Sequence, residues 1–520
     1  MGRIWLLGCW VAFGWIAMQA HAQEKPLDLC LIGGTVFDGT GQQGKVLDLG
    51  IRDGKIVAMG SLGGMTSLQV VDCRDLWIAP GFIDLHNHSD DTILASKTRG
   101  NSGYLMQGCT TIVTGNCGSG PVDVKKYLQK IDEQGAGTHV LHLLPHGDLR
   151  STVMGKESRD PTAEEIDKMR ALARTAMQDG AWGMSTGLIY VPGTYSKTEE
   201  IIEVAKVVSE YRGIYASHIR NEGEGLIDSI EEAIRIGREA KLPIHVSHMK
   251  ASGKTNWGTL RVATKLIEDA REKGASITAD QYPYVASSTS LEATLLPSWS
   301  REGGRKGLEK RLENPEERAK IREAVAKQLG TSQRIQITSH AKHREWAGKS
   351  LDEIAKIVGK EVVDVVLDIE SNGGAGVVNF SMNEDDVRQA MQLPWVATAS
   401  DGGAKIPSGD RPHPRSFGTF SRKIGYYAND QKVLDPAAAI RSCSGLPADI
   451  IGMKDRGYIR EGWVADLVVL DPKLYRDTAT YDEPFLYATG VVHVLMDGQY
   501  AVYRGVPTGA LLGKALRKPQ

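Results

Sequence analysis

The sequence predicts an α/β protein: a (β/α)8 TIM-like barrel with a small β-sandwich domain built from both chain ends. Three observations lead there. Short apolar segments alternate with amphipathic stretches between about residues 181 and 284, about eight such segments can be found along the chain, and chemically active residues cluster where they end. Alternation of this kind means βαβ units and a parallel sheet. In such barrels the C-terminal strand ends form the active-site face. An open doubly wound sheet is the competing arrangement.

The chain opens with MGRIWLLGCWVAFGWIAMQAHAQEK, which has one cation (Arg3), an apolar run of about fifteen residues and then Ala20-His21-Ala22. That is the pattern of a cleaved export signal, and it falls short of the about 20 apolar residues of a comfortable span. A membrane-anchoring N-terminus is the alternative. LLGC resembles a lipoprotein box, but Cys9 precedes most of the apolar run. The expectation is removal of residues 1–22, export to the periplasm or beyond, and no stable membrane span elsewhere.

Residues 23–79 (LDLCLIGGTVFDGTG, LDLGIRDGKIVAMG) alternate apolar and polar positions around Asp-Gly turns, as antiparallel strands do. The same texture returns at 458–506, so residues 23–79 and 441–520 are expected to pair into one small β-domain. The barrel would fill 80–440. Its strand candidates are GFIDLH, TTIVTG, THVLHLL, GAWGMSTGL, GIYASHIR, PIHVSHMK, SITADQYPY and WVATASD. Each is short and apolar, as for strands buried on both faces. Thr162-Ala163-Glu164-Glu165 is a capping box, followed by Ile166, Met169, Leu172, Ala173 and Met177 at helical spacing. TEEIIEVAKVVSEYR, LIDSIEEAIRIGREA and GTLRVATKLIEDAREKG supply three more amphipathic helices. Residues 286–350, rich in Arg, Lys, Glu and Gly, read as an insertion covering the site.

The 520 residues are 41% hydrophobic and 24% charged, enough for a core larger than one ordinary domain. A formal charge of −2, falling to −3 once Arg3 leaves with the signal, gives no electrostatic case for nucleic acid, and no basic stripe with interleaved aromatics is present. Five cysteines follow the signal: Cys30, Cys73, Cys109, Cys117 and Cys443. An odd number leaves at least one unpaired, and so few make no disulfide scaffold. Cys30 and Cys73 share the small β-domain and are a candidate pair.

His86-Asn87-His88 sets two imidazoles on one side of an extended strand. His218 and His248 end two successive strands, whereas His142 and His245 read as satisfied core histidines. With Cys117 and Asp401 the strand-end set becomes His, His, Cys, His, His, Asp. Imidazole, thiolate and carboxylate are the usual zinc ligands, and nitrogen and sulfur donors disfavour Mg²⁺ or Ca²⁺. A nucleophile, a disulfide half and an inert core thiol remain open for Cys117, with ligand preferred because four histidines converge there.

APGFIDLHNHSD, TIVTGNCG, GMSTGLIYVPGTYS, YASHIRNEG, HVSHMKASG, ADQYPY, GKSLDEIA, ATASDGG, HPRSFGTFSR and GLPADIIGMKDRGYIREGWVADLVVLDP occur in order along nearly the whole chain after the signal. With them the chain resembles the amidohydrolase superfamily, and within it the N-acyl-D-amino-acid deacylases. The resemblance implies a tight zinc on Cys117, His218 and His248, and a weaker or empty second position at His86, His88 and Asp401. Many superfamily members bridge two metals with a carboxylated lysine on the fourth strand. That strand here, GAWGMSTGL, has none, so Cys117 would bridge instead.

Asp401 would be general base and then acid, and Tyr190 a donor to the oxyanion. Lys250, Tyr282, Ser288 and Arg415 would hold the substrate α-carboxylate, with Arg411 as rival to Arg415. Arg220, Asn221 and Glu222 would shape the acyl or side-chain pocket. The implied reaction is hydrolysis of an N-acyl-D-amino acid. The alternatives are a dipeptidase releasing a C-terminal D-residue, a cyclic-amide hydrolase (disfavoured by the missing lysine) and, from another class, a non-catalytic barrel binding protein. The partner would be a small molecule, an N-acyl-D-amino acid or a dipeptide with a D-residue; oligomeric state is left open.

Overall fold

The computed structural model describes residue 2 and residues 25–519; the proposed export signal lies outside the described residues apart from Gly2. All eight barrel-strand candidates form strands: β1 (Phe82–Asp84), β2 (Cys109–Thr114), β3 (His139–His142), β4 (Gly183–Gly187), β5 (Ile214–His218), β6 (Ile244–Val246), β7 (Ile277–Gln281) and β8 (Val396–Thr398). β2, β3, β4 and β5 are buried at every position, which is why they read as unbroken apolar or small-residue runs.

The strands run parallel, β1 to β2 to β3 and β4 to β8, each paired with the next. The break between β3 and β4 is bridged by Leu144–Pro145, which continues β3 and pairs with Met184 and Ser185. Beyond the C-terminal ends, Asp401 N–H donates to the His86 carbonyl at 2.8 Å and His88 N–H to that of Gly402 at 2.7 Å. The last strand is thereby tied to the first, consistent with a TIM-like barrel. These two bonds also fix His86, His88 and Asp401 side by side.

The helices follow from the sequence pattern. Ala163–Gln178 starts at Thr162 with both halves of the capping box formed, and Met169, Ala173, Ala176 and Met177 are its buried face. Leu172, expected on that face, is 36% exposed and lies on its flank. Helices Thr198–Glu210, Leu226–Ala240 and Leu260–Glu272 separate β4 to β7.

Both chain ends contribute to one nine-stranded sheet. Leu29–Val36, Lys45–Arg52, Lys55–Gly60, Val70–Asp72 and Trp77–Pro80 meet Leu467–Leu470, Val491–Met496, Gln499–Tyr503 and Val506–Pro507. The junction is antiparallel, with Ile78 opposite Val469. Asp53-Gly54 and Asp497-Gly498 close two-residue hairpins, all four residues at φ of 47–74°. That is what a turn matching the strand twist requires.

Cys30 and Cys73 are both free thiols in this sheet, against the expected pairing. Cys30 is opposite Val70, and Cys73 lies one residue past Asp72, the partner of Ile32. The offset is three residues, or about 10 Å along a strand, beyond the reach of a disulfide.

The insertion is larger than 286–350. Its central strand, Ala375–Phe380, pairs with Ser287–Ser290 on one side and Arg334–His340 on the other, so the unit closes only at Phe380. It has its own core, including Leu291, Leu308, Ile321, Ile337, Ile354, Val366 and Val377. Its first strand and the turn Ser298–Arg301 reach over the C-terminal ends of the parallel strands.

One buried cation in the frame carries a stability prediction. Lys423, in the segment Arg422–Asp430, is 2% exposed and, among the described residues, donates only to the Met391 carbonyl at 3.0 Å. Burial pulls its pKa down to about 8. Between that value and its ordinary one the native state binds fewer protons than the unfolded chain, so stability rises with pH across the window. Lys423→Met is expected to stabilise the protein by about 3 kcal/mol at pH 7, the gain shrinking towards zero near pH 10.5. Denaturant titrations at pH 7 and 10 would check it; a constant difference would refute it.

Candidate metal and catalytic centre

The strand ends deliver their side chains through strained backbone. Cys117, His248 and Asp401 have φ of 51°, 34° and 51°, in the left-handed region that non-glycine residues rarely enter. Strain of this kind persists where the surroundings over-determine it, and it clusters at functional sites. Two glycines make the approach possible. A Cβ on Gly115 would come within 2.0 Å of the Leu143 carbonyl, and one on Gly187 within 2.1 Å of the Cys117 carbonyl. The glycine-rich TGNCGSG turn therefore lets Cys117 sit against β4.

Cys117 Sγ lies at the middle of the donors. His86 Nε2 is 3.2 Å away, His218 Nδ1 3.6 Å and His248 Nε2 3.8 Å. His86 Nε2 is also 3.5 Å from Asp401 Oδ1, and His88 Nε2 is 3.0 Å from the same oxygen. Ligands on a tetrahedral zinc at normal bond lengths are about 3.5 Å apart. The predicted donors thus stand at ligand spacing in overlapping groups, His86 with Cys117 and His248 and His86 with His88 and Asp401, while His218, 3.6 Å from Cys117 Sγ, groups with His248 and Glu222.

Electrostatics support the same reading. Burial first, then the carboxylates of Asp401 and Glu222, push the Cys117 thiol well above its ordinary pKa. An activated nucleophile needs the opposite shift, and a bound cation is what would hold the thiolate. Burial keeps His218 neutral, the form that binds metal, and its Nε2 has no hydrogen-bond partner among the described residues. Thiolate and imidazole donors fit zinc rather than Mg²⁺ or Ca²⁺.

Two carboxylates stand behind the donors: Asp280, which the sequence reading does not single out, and Glu222, which it places at the acyl or side-chain pocket. Asp280 on β7 accepts the His248 N–H at 2.6 Å, contacts His245 Nε2 at 2.8 Å, and stands 3.6 Å from His86 Nδ1. Glu222 contacts His248 Nδ1 at 2.9 Å and lies 3.9 Å from His218 Nε2. Glu222, against the His248 ring, is a partner of the kind that fixes the tautomer and ring orientation of a ligand histidine, while Asp280 holds the His248 backbone. Burial raises the pKa of both, yet their histidines, and Lys250 for Glu222, outweigh it and keep them ionised. His142 and His245 have partners on both ring nitrogens, as expected of core histidines.

A cleft of about 590 Å³ opens onto His88, Cys117 and Asp401, walled by Tyr190, Ser288, Thr289, Arg301, Arg305 and Arg415 among others. Arg415 is 6% exposed. Its Nη1 is 2.9 Å from Asp401 Oδ2, its Nη2 donates to the Ser288 carbonyl at 3.0 Å, and its guanidinium lies over the Tyr282 ring. Tyr282 is buried and its hydroxyl has no partner among the described residues. Tyr190 Oη is 3.0 Å from Thr289 Oγ1 of the inserted unit.

Three substrate-contact readings are affected by the structure. Arg411 is outside the cleft wall and bonds to the Asp410 carbonyl, so Arg415 is the arginine at the site. Lys250 is buried and its Nζ is taken up by Glu222 at 2.5 Å and His248 Nδ1 at 2.7 Å, behind the donor set. Arg220 pairs with Glu232 at 2.8 Å and braces the carbonyls of Thr194 and Ser196 instead of lining the cleft.

The model of the Amidohydrolase family matches residues 69–502. The D-aminoacylase of Alcaligenes xylosoxydans xylosoxydans is 35% identical over 96% of this chain and 99% of its own. A solved D-aminoacylase studied for its binuclear metal centre superposes with a TM-score of 0.82 at 33% identity, covering 95% of this chain and all of its own. The N-acyl-D-glutamate deacylase of Bordetella bronchiseptica was solved with zinc and a phosphonate mimic of the tetrahedral intermediate. It superposes with a TM-score of 0.81 at 32% identity, covering 95% of this chain and all of its own. With a family model spanning most of its length and full-length relatives above 30% identity, the chain belongs to the amidohydrolase family, in its N-acyl-D-amino-acid deacylase group.

Proposed function

We propose that the protein hydrolyses the N-acyl amide bond of N-acyl-D-amino acids, releasing a carboxylate and a free D-amino acid. The observation that carries this is the Cys117-centred donor set at the mouth of a cleft that also presents Asp401, Tyr190 and Arg415. The fold that carries the site is read as a (β/α)8 barrel, with the sheet from the two chain ends folded into a small sandwich. Cys117, His218 and His248 would hold the tight zinc, and His86, His88 and Asp401 would line a second, weaker position.

When bound there, zinc supplies Lewis-acid polarisation of the amide carbonyl and makes water easier to deprotonate near neutral pH. The chain's own groups do the rest. Burial disfavours the Asp401 carboxylate, but Arg415 and the imidazoles of His248, His86 and His88 hold it well below the usual carboxylate range. It is therefore ionised at neutral pH, ready to take a proton from water and return it to the leaving amine. Burial pushes the Tyr190 phenol up, so it keeps its proton and can donate to the developing oxyanion. Arg415 and the unpartnered Tyr282 hydroxyl would receive the α-carboxylate, a planar group suited to a guanidinium. Lys250 would join them only by leaving Glu222.

A release assay on zinc-quantified enzyme tests the proposal, using paired N-acetyl-D- and N-acetyl-L-amino acids with D-terminal dipeptides alongside. The D-forms are expected to react at least about 100-fold faster in kcat/KM, the scale of discrimination that oriented contacts provide. Turnover of L-forms alone, or of cyclic imides alone, would sink the assignment.

A further inference from the structure

The turn that carries Cys117 is bent at three of its residues: Gly115, Cys117 and Gly118 have φ of 75°, 51° and 69°. Backbone of this shape leaves the strand ladder, so its buried N–H and carbonyl groups need other partners. Side chains supply them. Asp90 Oδ1 accepts the Gly115 N–H at 2.7 Å, and Asp148 Oδ2 accepts the Gly120 N–H at 2.7 Å. These two acids hold the ends of the turn. Its middle is held by Ser185 of β4, which is 1% exposed. Ser185 Oγ accepts the Gly118 N–H at 3.0 Å and donates to the Gly115 carbonyl. One hydroxyl therefore joins the residues on both sides of Asn116-Cys117.

Two features set Ser185 apart. A serine hydroxyl has one proton to give, and here both its donor and an acceptor site are spent on this turn. Thr186, the next hydroxyl along the strand, contacts Tyr215 Oη at 2.8 Å and Ser217 Oγ at 3.0 Å instead. The strand itself, Gly183-Met184-Ser185-Thr186-Gly187, offers no imidazole, thiolate or carboxylate to the centre. It lies against the turn, where a Cβ on Gly118 would come within 2.9 Å of the Gly187 nitrogen. Cys117 Sγ faces the histidine nitrogens from a backbone conformation that non-glycine residues rarely enter. Whatever fixes the turn therefore fixes a ligand.

We propose that Ser185 is the positioning residue for the Cys117 thiolate. Its hydroxyl holds the turn in the form in which Sγ faces the histidines, so that zinc meets a donor already in place. β4 thus serves the metal centre through the backbone of the turn rather than through a donor atom of its own. This rests on the zinc assignment above.

Ser185→Ala in the full-length protein tests it. Zinc affinity, read by competition with a chromogenic chelator, is expected to fall by about 10–100-fold, the scale found for partners behind a metal ligand. Hydrogen exchange in the metal-free protein should speed up by about tenfold in the peptide spanning Gly115–Gly120, the scale of a lost hydrogen bond, and stay unchanged in β6 and β7. A serine with a merely structural role would instead speed exchange across the barrel and leave the zinc affinity of the folded protein alone. Unchanged zinc affinity, or unchanged exchange in that peptide, overturns the proposal. Should Ser185→Ala fail to fold, the metal-free wild type decides. Its Gly115–Gly120 peptide must exchange slowly, as a buried hydrogen-bonded turn does, and exchange at the rate of an open loop overturns the proposal. Should the wild type bind no zinc, the zinc assignment falls instead, and the exchange comparison still decides whether Ser185 holds the turn.

Discussion

Cys117→Ala is expected to lose bound zinc and hydrolysis together, with kcat/KM falling by at least about 10³-fold. Removing a partner behind a ligand typically costs 10–100-fold in affinity or activity, and Cys117 is the donor around which three histidine nitrogens stand at 3.2–3.8 Å. Metal analysis beside the activity assay separates the possible roles of the thiol. Zinc and activity lost together identify a ligand. Activity lost with zinc retained would identify a nucleophile, and both retained would leave a core thiol. A near-normal melting temperature is needed for the comparison, because the residue is buried and its φ of 51° is maintained by its surroundings. Cys117→Ser, which keeps a weaker oxygen donor, should fall between wild type and alanine.

The parts of the fold that were legible in the sequence are those where burial imposes a pattern. β2 to β5 are enclosed on both faces, so their apolar runs could not be mistaken for amphipathic helix. The terminal sheet announced itself through Asp53-Gly54 and Asp497-Gly498, whose backbone few other residue pairs adopt easily. The end of the insertion was not legible. Ala375–Phe380 has the same texture as a barrel strand, and only its antiparallel partners show that it belongs to the added unit.

The same division runs through the site. Imidazole, thiolate and carboxylate at strand ends are residue types with few other uses in such positions. Asp280 was missed and Glu222 was given a pocket role because what marks them is contact with a histidine ring, although Glu222 lies one helical turn's spacing from His218 and Asp280 is a buried acid inside a strand. Lys250 entered from the resemblance alone, and that its Nζ lies against Glu222 is something only the three-dimensional arrangement shows.

Asp401→Asn is expected to lower kcat by about 10³-fold, within the range of a lost general base, while KM stays level or falls. The split follows from the geometry. Oδ1 faces His88 and His86, and Oδ2 faces Arg415. Asparagine keeps the shape and one acceptor but cannot take the proton from water, so the chemical step suffers. Its neutrality also releases Arg415, whose charge becomes free for the substrate carboxylate, so binding need not weaken. The variant should be less stable by about 3 kcal/mol, since removing one partner of a buried pair leaves the other charge uncompensated. Zinc on Cys117, His218 and His248 should remain, because none of the three depends on the Asp401 charge for its position. A kcat within about tenfold of wild type would place the base elsewhere, and Glu222 is then the next carboxylate to substitute. Loss of all zinc in Asp401→Asn would instead show that the two groups of donors form one centre, with Asp401 acting chiefly as a ligand.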